Sequence, residues 1–390
     1  MNARERFNAI MTFDTSVRTL KWEFGYWAET MKRWYGEGLP MKAGIPQELK
    51  GGEEVFGEGI PWKKNGEPFA KDVHDFFELD RGFERVPVNF LFEPAFEYRV
   101  LEEDDERRVV VDEMGIRKQV RRDESSMPQF LEWPVRNRDD WEKLKEERLS
   151  SDIERRLPSH MEDLADRYRE RDFPLTIGGY PHGFFGTLRF LMGDEVLFTG
   201  YYDQPDLIHD VNATLCDLWI DVVNAVMDYG IELDCADMWE DMCYRQGPLI
   251  SPAHFKEFMF PYYKRYTDFL KRRGVHNIWV DTDGDCSELI QLFIDCGVTG
   301  LSPMEVQSGM NVVKVRKEFP KLQMYGGIDK RMPLRGSKTI DYDLELQIPY
   351  MLKGGGYIPY LDHLVPPDVP WNGFNHYRKV LNSYILGEAS

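Results

Sequence analysis

The sequence contains few cysteines, and they do not form the patterns seen in secreted or zinc-binding domains. Its 390 residues include five cysteines, an odd number without a C-x-x-C pair. This argues against a disulfide framework and favours free thiols in a reducing cytoplasm. No apolar run reaches the roughly 18 residues of a membrane span. The start, MNARERFNAIMTFD, also lacks the apolar core and cleavage site of a secretion signal. We therefore expect a cytoplasmic protein.

Positive charge is also scarce. The chain has 49 lysine and arginine residues against 68 aspartate and glutamate residues, which gives a net charge of −19. A phosphate backbone would be repelled by this field, so we do not expect nucleic acid as a partner. The phosphate-binding patterns GxGxxG and GxxxxGKS/T do not follow any predicted strand, which weakens a nucleotide-binding interpretation.

From about residue 174 onward, short apolar runs alternate regularly with amphipathic stretches. Each run ends in glycine or an acid, and the six runs are 175–180, 231–239, 277–284, 299–305, 322–329 and 357–363. Alternating strands and helices form parallel sheets with crossover helices. With one more strand candidate at 19–27, the count predicts an α/β fold of the (β/α)8 TIM-barrel type rather than a doubly wound sheet.

Residues of about 30–150 do not keep this alternation. They are rich in acids, proline and aromatic residues, and they predict a long insertion of hairpins and loops that covers one end of the barrel. The chain shows no internal repeat and no low-complexity tract. We therefore predict one domain over 1–390, a distorted barrel with a long N-terminal insertion.

Carboxylates follow the predicted strands at the point where each strand ends. Five consecutive strand candidates finish in Glu240-Asp241, Asp281-Thr282-Asp283, Glu305, Asp329 and Asp362-His363. In a barrel of this type, the carboxyl ends of the strands surround the active site. A single acid after a strand is commonly a helix cap or a solvated residue, as we predict for Asp285. Five such endings in a row favour a functional rim.

Asp281 and Asp283 are two residues apart, so both side chains point to one face of the strand. Crowded carboxylates need a cation, a bound metal or raised pKa values. Two carboxylates and an imidazole can bind a metal, so we predict Asp281, Asp283 and His363 as ligands. The predicted catalytic residues are Glu240, Asp283, Glu305 and His363, with the two glutamates as acid/base groups or further ligands.

Aromatic residues accompany these acids. Many of them must belong to the core, but those beside strand ends could form the wall of an apolar pocket for a flat or aromatic ligand. The predicted substrate-binding residues are Trp22, Tyr26, Tyr180, His182, Trp239, Met304, Asp329 and Tyr360.

Longer motifs extend along the chain. They are NARERF at 2–7, GTLRFLMG at 186–193, WEDM at 239–242, GPLISP at 247–252, DTDGD at 281–285, GGID at 326–329 and YLDHLVPPDVP at 360–370. Together they resemble the uroporphyrinogen decarboxylase-like superfamily over nearly the whole chain. The resemblance implies a distorted (β/α)8 barrel with its site at the carboxyl ends of the strands, in agreement with the alternation.

The superfamily includes more than one chemistry. Its decarboxylases hold substrate carboxylates with an arginine-bearing segment of the type MRQAGR, whereas the corresponding KWEFGYW at 21–27 has no arginine. This argues against uroporphyrinogen decarboxylation. Methyltransferases that methylate coenzyme M bind zinc through an HxC pair and a later cysteine. The matching positions here are Asp281-Thr282-Asp283 and His363, a harder ligand set that argues against a thiol acceptor.

A third group, which resembles this sequence more closely, demethylates methoxylated aromatic compounds. We therefore predict a methyltransferase that moves a methyl group from such a donor to the cobalt of a corrinoid protein. The resemblance implies a bound metal ion, with zinc as a candidate, a transiently docked corrinoid protein and a homodimer. One alternative is a cofactor-free decarboxylase or lyase acting on another substrate. The other is a corrinoid- or tetrapyrrole-binding module without turnover.

Overall fold

The computed structural model describes residues 1–45, 54–55, 70–122 and 128–388. The helices are α1 (Ala3–Met11), α2 (Ala28–Glu37), α3 (Lys71–Phe76), α4 (Arg138–Arg148), α5 (Met161–Arg169), α6 (Gly186–Asp203), α7 (Pro205–Asp228), α8 (Pro252–His254), α9 (Phe260–Arg272), α10 (Ile290–Asp295), α11 (Val312–Glu318), α12 (Ser337–Gly354) and α13 (Trp371–Leu386). The strands are β1 (Tyr26–Trp27), β2 (Glu54–Val55), β3 (Glu84–Arg85), β4 (Arg99–Glu103), β5 (Arg107–Val111), β6 (Arg117–Arg121), β7 (Gln129–Glu132), β8 (Leu175–Gly179), β9 (Cys235–Trp239), β10 (Cys243–Tyr244), β11 (Gly247–Pro248), β12 (Asn277–Asp281), β13 (Gly300–Ser302), β14 (Gln323–Ile328) and β15 (Tyr357–Leu361).

A curled parallel sheet forms the barrel wall. Its strands follow the order β15-β14-β13-β12-β9-β8-β3, and each neighbouring pair is parallel. Asp281, the last residue of β12, pairs with Trp239 on one side and with Ser302 on the other. The carboxyl ends of these three strands are therefore level at one mouth. The α/β TIM-type barrel predicted from the alternation is confirmed.

The N-terminal segment 19–27 lies between β15 and β3. The Thr19 hydroxyl donates to the Tyr357 carbonyl at 2.7 Å, and the Val365 backbone N–H donates to the Gly25 carbonyl at 2.9 Å. On the other side, the Asp80 backbone N–H donates to the Lys21 carbonyl at 3.0 Å. Regular strand structure within the segment is confined to β1, which pairs antiparallel with β2. The segment closes the wall without a full ladder, so the barrel is distorted as predicted.

Large apolar side chains fill the barrel interior. A buried inner cluster consists of Phe7, Ile10, Met11, Leu20, Trp22, Phe83, Cys235, Trp279, Tyr325, Ile358 and Tyr360. Trp279 stacks on Tyr325 with ring centroids 5.0 Å apart. Helix α1 contributes three of these residues, and its Arg4 pairs with Asp234, just before β9, at 2.8 Å. Helix α1 therefore covers the amino-terminal end of the barrel and leaves the opposite end for the site.

The predicted insertion at about 30–150 needs one correction. It contains β3, a strand of the barrel sheet that pairs with β8. Two charged residues form this strand, so it gave no apolar periodicity from which it could be predicted. Strands β4 to β7 form a separate antiparallel sheet, as expected for hairpins. The parts of the predicted insertion at 46–53, 56–69 and 123–127 lie outside the described residues.

The outer helices follow the local signals in the sequence. The Ser251 side chain accepts a hydrogen bond from the His254 backbone N–H and caps α8, which has Pro252 at its first position. A π-helical turn continues α8 into α9, and Gly274, with a φ of 91°, follows the end of α9. In the part of the chain that the structure describes, none of the helices combines the length and apolar character needed to cross a membrane.

Candidate active site

A cavity of about 370 Å³ opens at the carboxyl ends of the barrel strands. The residues that line it are Phe24, Arg85, Gly179, Tyr180, Asp237, Trp239, Asp241, Trp279, Asp281, Thr282, Asp283, Ser302 and His363. Barrels of this type hold their active site at this end. The predicted residues Asp281, Asp283, His363, Tyr180 and Trp239 are thus brought together around one space.

Asp283 and His363 face each other in the cavity. The Asp283 Oδ2 and His363 Nε2 atoms are 3.7 Å apart. The Leu364 backbone N–H donates to His363 Nδ1 at 2.8 Å. Burial, together with the positive charge of Lys330, lowers the pKa of His363 to about 4. The ring is therefore neutral at pH 7. Because Nδ1 accepts a hydrogen bond, its one proton lies on Nε2, on the side of the Asp283 carboxylate.

Two carboxyl groups in the cavity ionise with difficulty. Burial, followed by repulsion from Glu305, raises the pKa of Asp283 to about 6. Burial, followed by repulsion from Asp283, raises the pKa of Asp241 to about 6. Carboxyl groups whose pKa values lie this close to neutral can hold a proton and release it during a reaction. The cavity therefore has the means for general acid catalysis.

An unusual backbone conformation directs Asp241 into the cavity. Its φ of 43° lies in the left-handed region, which is costly for residues other than glycine and is found at functional sites. The Glu240 N–H donates to the Asp281 carbonyl at 2.9 Å, and the Arg189 guanidinium donates to the Asp241 carbonyl at 2.9 Å. The Met242 N–H donates to the Thr282 hydroxyl at 3.1 Å. The Glu240 and Met242 bonds fasten the turn after β9 to the end of β12, and the Arg189 bond ties the turn to α6.

Arg85 brings a positive charge to the cavity from the end of β3. Its guanidinium donates to Asp237 Oδ2 at 2.6 Å, and the Thr176 hydroxyl donates to Asp237 Oδ1 at 2.6 Å. The side chain lies directly over Gly179, where an added Cβ would come within 2.5 Å of the guanidinium carbon. Gly179 also has a φ of 79°, so glycine suits both the backbone conformation and the position of Arg85. The N-terminal segment 21–27 has no arginine, and the sequence did not predict that β3 would bring one to the cavity.

Glu240 lies outside the cavity. Its carboxylate is buried and accepts the backbone N–H groups of Phe184, Phe185 and Gly186 at 2.6–2.8 Å. The Tyr263 hydroxyl donates to it as well. Burial raises the pKa of Glu240 to about 7. The position suits a structural role, the stabilisation of the start of α6, and gives no support to the predicted acid/base role.

Glu305 also holds the loops that carry the site. Its Oε2 accepts the Gly284 N–H at 3.0 Å and the Ser308 hydroxyl at 2.7 Å. The Lys330 ammonium lies 3.4 Å from its Oε1. Although burial opposes ionisation, these hydrogen bonds and the ammonium charge lower the pKa of Glu305. Glu305 is thus a fixed carboxylate beside the cavity, and it fastens the loop that contains Asp283.

The acids after β14 and β15 are engaged with protein groups in a similar way. Asp362 accepts the backbone N–H groups of Val306 at 2.6 Å and of Lys330 at 2.8 Å. Burial raises the pKa of Asp362 to about 7. Asp329 is buried and forms an ion pair with Arg335. The predicted substrate-binding role of Asp329 is therefore not supported by its position.

Most of the other predicted substrate-binding residues pack inside the protein. Tyr180 and Trp239 line the cavity, with ring centroids 5.1 Å apart and planes at 69°. His182 is buried behind the wall, and its Nδ1 lies 3.1 Å from the Asp237 carbonyl. Four more are core residues: Trp22 and Tyr360 in the inner cluster, and Tyr26 and Met304 in the layer between barrel and helices.

Several residues that line the cavity were not among the predicted site residues. They are Phe24, Arg85, Asp237, Asp241 and Trp279. The period-two rule that selected Asp281 and Asp283 extends to Trp279 on β12 and selects Asp237 and Trp239 on β9. It also turns Glu240 away from the cavity. Asp241 follows the end of β9 and reaches the cavity through its left-handed conformation. Phe24 and Arg85 come from segments with little regular structure, where no period exists.

The predicted metal ligands do not form a complete set in this arrangement. Among the described residues, no group of three histidine, cysteine, aspartate or glutamate side chains is placed to hold a metal ion. Metal-binding histidines usually donate their second ring nitrogen to an acceptor, whereas Nδ1 of His363 accepts the Leu364 N–H. The donor set therefore does not fit a metal ion as it stands, and the ligand roles of Asp281, Asp283 and His363 stay predictions.

Comparison with known proteins identifies the family. The family model described as uroporphyrinogen decarboxylase (URO-D) matches residues 108–384. The match covers more than half of the chain and includes the strands from β8 to β15 and the loops after them. The chain belongs to the uroporphyrinogen decarboxylase family, which confirms the resemblance found in the motifs. No curated protein sequence matches the chain.

Comparison with solved structures gives a match that extends over nearly the whole chain. A methyltransferase from Methanosarcina mazei has a TM-score of 0.58 at 12% identity, over 99% of this chain and 99% of that chain. A 3-keto-D-glucoside 4-epimerase from E. coli has a TM-score of 0.32 at 13% identity, over 57% of this chain and 83% of its own. A zinc-bound structure of the IOLI protein has a TM-score of 0.32 at 12% identity, over 59% of this chain and 83% of that chain. At these identities, the match to the methyltransferase shows a shared fold.

Proposed function

We propose that the protein is a methyltransferase that takes a methyl group from a methoxylated aromatic compound or a similar donor and passes it to the cobalt of a corrinoid protein. The observation that carries this proposal is one cavity that combines aromatic walls with carboxyl groups of raised pKa. The protein from M. mazei with the same fold is described as a methyltransferase, which agrees with the proposal.

The aromatic walls suit a flat donor. Tyr180 and Trp239 meet edge to face and form a corner. Phe24 is stacked on His363, with centroids 5.1 Å apart, and lines the cavity as well. An aromatic ring between these surfaces would bury its faces against apolar carbon. Its methoxy group could then reach the aspartates at the ends of β9 and β12.

The carboxyl groups can assist cleavage of the C–O bond of the aryl ether, which is the difficult step of the reaction. An unactivated aryl ether is a poor methyl donor because its leaving oxygen must accept the electrons of the broken C–O bond. A protonated Asp241 or Asp283 can give that oxygen a proton, so that a neutral phenol leaves. The His363 Nε2 atom lies 3.7 Å from the Asp283 carboxylate, beyond the length of a hydrogen bond. A docked corrinoid would supply the nucleophile that accepts the methyl group.

The charge of the cavity argues against the decarboxylase alternative. Asp237, Asp241, Asp281 and Asp283 all line it, and the guanidinium of Arg85 is already paired with Asp237. A substrate with several carboxylates would be repelled by this surface. The alternative of a decarboxylase or lyase therefore requires a substrate with few negative charges.

A turnover assay tests the proposal. The purified protein is incubated with a panel of methoxylated aromatic compounds and chemically reduced cobalamin, and the phenol and methylcobalamin are quantified. We expect both products in equal amounts and expect Asp283→Asn to suppress them. Asp285→Asn, on the same loop, serves as the control. Release of carbon dioxide from an acid substrate without cobalamin, and no demethylation across the panel, would favour the decarboxylase alternative.

A further inference from the structure

The cavity carries more negative charge than its own cations neutralise. Arg85 compensates Asp237, with 2.6 Å between guanidinium and carboxylate. Among the described residues that line the cavity, Arg85 is the only lysine or arginine. Lys330 lies outside the lining, and its ammonium is 3.4 Å from the Glu305 carboxylate. The negative charge that remains calls for a cationic ligand.

The remaining charge lies mainly on the two aspartates that follow β9 and β12. Asp241 and Asp283 line the same cavity. Arg189 approaches the Asp241 carboxylate only to 3.8 Å, since its guanidinium is paired with Asp194 at 2.8 Å. A positively charged ligand is attracted by this field.

A bare metal ion is not the best match for this space. The cavity measures about 370 Å³, far more than one ion fills. In the described part of the chain, no three potential ligands converge closely enough to coordinate an ion. The counter-charge that fits is therefore a larger, organic cation.

The walls have the chemistry that recognises organic cations. Tyr180 and Trp239 stand at 69° to each other, and Trp279 adds a third aromatic ring to the lining. The faces of such rings attract alkylated ammonium groups, which aromatic cages bind through cation–π contacts. Aromatic faces alone would accept any apolar group. Together with the carboxylates, they select for a positive charge.

We propose that this cavity binds a compact organic cation of the quaternary ammonium class. The charge would lie near Asp241 and Asp283, and the methyl groups would lie against Tyr180, Trp239 and Trp279. The inference rests on the cavity of the proposed function but not on methyl transfer itself. Binding can therefore be measured apart from turnover, and either result can fail without the other.

Calorimetry with two isosteric ligands tests the proposal. Choline is titrated into the full chain at pH 7.5, and 3,3-dimethyl-1-butanol, which replaces the charged nitrogen with carbon, is titrated under the same conditions. We expect choline to bind at least about tenfold more tightly, since cation–π and carboxylate contacts depend on the charge. Equal binding of the two ligands, or no binding of choline and tetramethylammonium at millimolar concentrations, would overturn the proposal.

Amino-acid substitutions test whether choline binds in this cavity. Asp283→Asn and Trp239→Leu are each expected to weaken choline binding by about tenfold or more. Asp285→Asn should leave it unchanged, because Asp285 accepts the Ser287 N–H at 3.0 Å and lies outside the cavity lining. Thermal unfolding and circular dichroism confirm that each variant is folded. Choline binding that survives both cavity variants would show that the cation binds elsewhere and would refute the assignment.

Discussion

At the scale of single residues, the two acids of the loop after β12 have different roles. Asp283 lines the cavity, whereas Asp285 accepts the Ser287 N–H at 3.0 Å in the turn before α10. Replacing Asp283 by Ala is expected to lower turnover by about 100-fold or more, the usual contribution of a general acid. Replacing Asp285 by Ala should spare turnover and cost about 1 kcal/mol of stability, the usual contribution of one hydrogen bond. Steady-state kinetics and urea unfolding measure the two effects.

The same pair of variants tests the metal prediction. If Asp281, Asp283 and His363 bind a metal after a rearrangement of the loop, the purified protein should contain about one equivalent, and Asp283→Ala should lose it while Asp285→Ala keeps it. Elemental analysis of the three proteins decides the matter. A protein that is fully active after treatment with a chelator would contradict the ligand set and leave Asp283 with its acid role alone.

Asp241 should make stability depend on pH in an unusual direction. Burial and the charge of Asp283 raise its pKa to about 6, above the value of about 3.9 in an unfolded chain. Between pH 4 and pH 6, Asp241 therefore holds its proton more often in the folded protein than in the unfolded chain. The stability that comes from the protonated Asp241 is fully present below about pH 4 and is lost as the pH rises through 6. Replacing Asp241 by Asn removes that loss, and asparagine tolerates a positive φ.

We expect the Asp241→Asn variant to match the wild type at pH 4 and to be more stable at pH 7.5. The gain should be on the order of 1 kcal/mol, after a discount for the partial exposure of the side chain. Urea unfolding of both proteins at the two pH values measures the difference. A gain of the same size at both pH values would show that the effect does not come from the ionisation of Asp241.

At the scale of elements, glycine permits the close approach of two loops. Gly284 has a φ of 82°, and an added Cβ would overlap the Cys243 carbonyl group at the start of the β10–β11 hairpin. Gly274 has a φ of 91°, but the space around it is open. We expect Gly274→Ala to cost about 1 kcal/mol of unfolding free energy, the backbone penalty alone.

Gly284→Ala should cost clearly more than this, because the clash adds to the backbone penalty. It should also lower turnover, since Gly284 connects Asp283 to the Glu305 carboxylate through its N–H at 3.0 Å. Thermal unfolding and kinetics on both variants provide the comparison. Equal costs for the two substitutions would mean that the loops can move apart freely.

The success of sequence reasoning depended on how regular each element is. Strands such as β12 and β15 are apolar and several residues long, so their periodicity and their acidic ends could be predicted. Strand β3 has two charged residues and the segment 19–27 lacks a ladder, so neither Arg85 nor Phe24 could be assigned to the cavity. Glu240 was predicted as an acid/base group because of its charge at the end of a strand. Its position after β9 instead turns its carboxylate toward the N-terminus of α6, which the sequence does not reveal.

At the scale of the whole molecule, the assembly state is open to a direct test. The family resemblance implies a stable homodimer. Analytical ultracentrifugation at micromolar concentration should therefore give a mass near twice the 45.9 kDa of one chain. A single species at the mass of one chain, unchanged on tenfold dilution, would exclude the dimer. The outcome matters for the proposed corrinoid partner, because a dimer interface would hide part of the surface around the barrel.

In the proposed reaction, a corrinoid protein must bring its cobalt to the open end of the barrel. Tyr180 marks this opening, with 59% of its surface exposed, and the aspartates of the cavity lie beside it. A chain with a net charge of −19 attracts a partner through basic residues on the partner's surface. Salt screens such attraction, with a Debye length of about 10 Å at 0.1 M.

Docking should therefore weaken as salt is added, and the loss should appear mainly in the association rate. Surface plasmon resonance at NaCl concentrations from about 0.05 to 0.5 M covers the range over which the Debye length falls from above to below 10 Å. The control is a Tyr180→Ala variant, which removes an uncharged contact at the opening and should weaken docking without changing its salt dependence. An association rate that does not change with salt would show that the acidic charge of the chain plays no part in bringing the two proteins together.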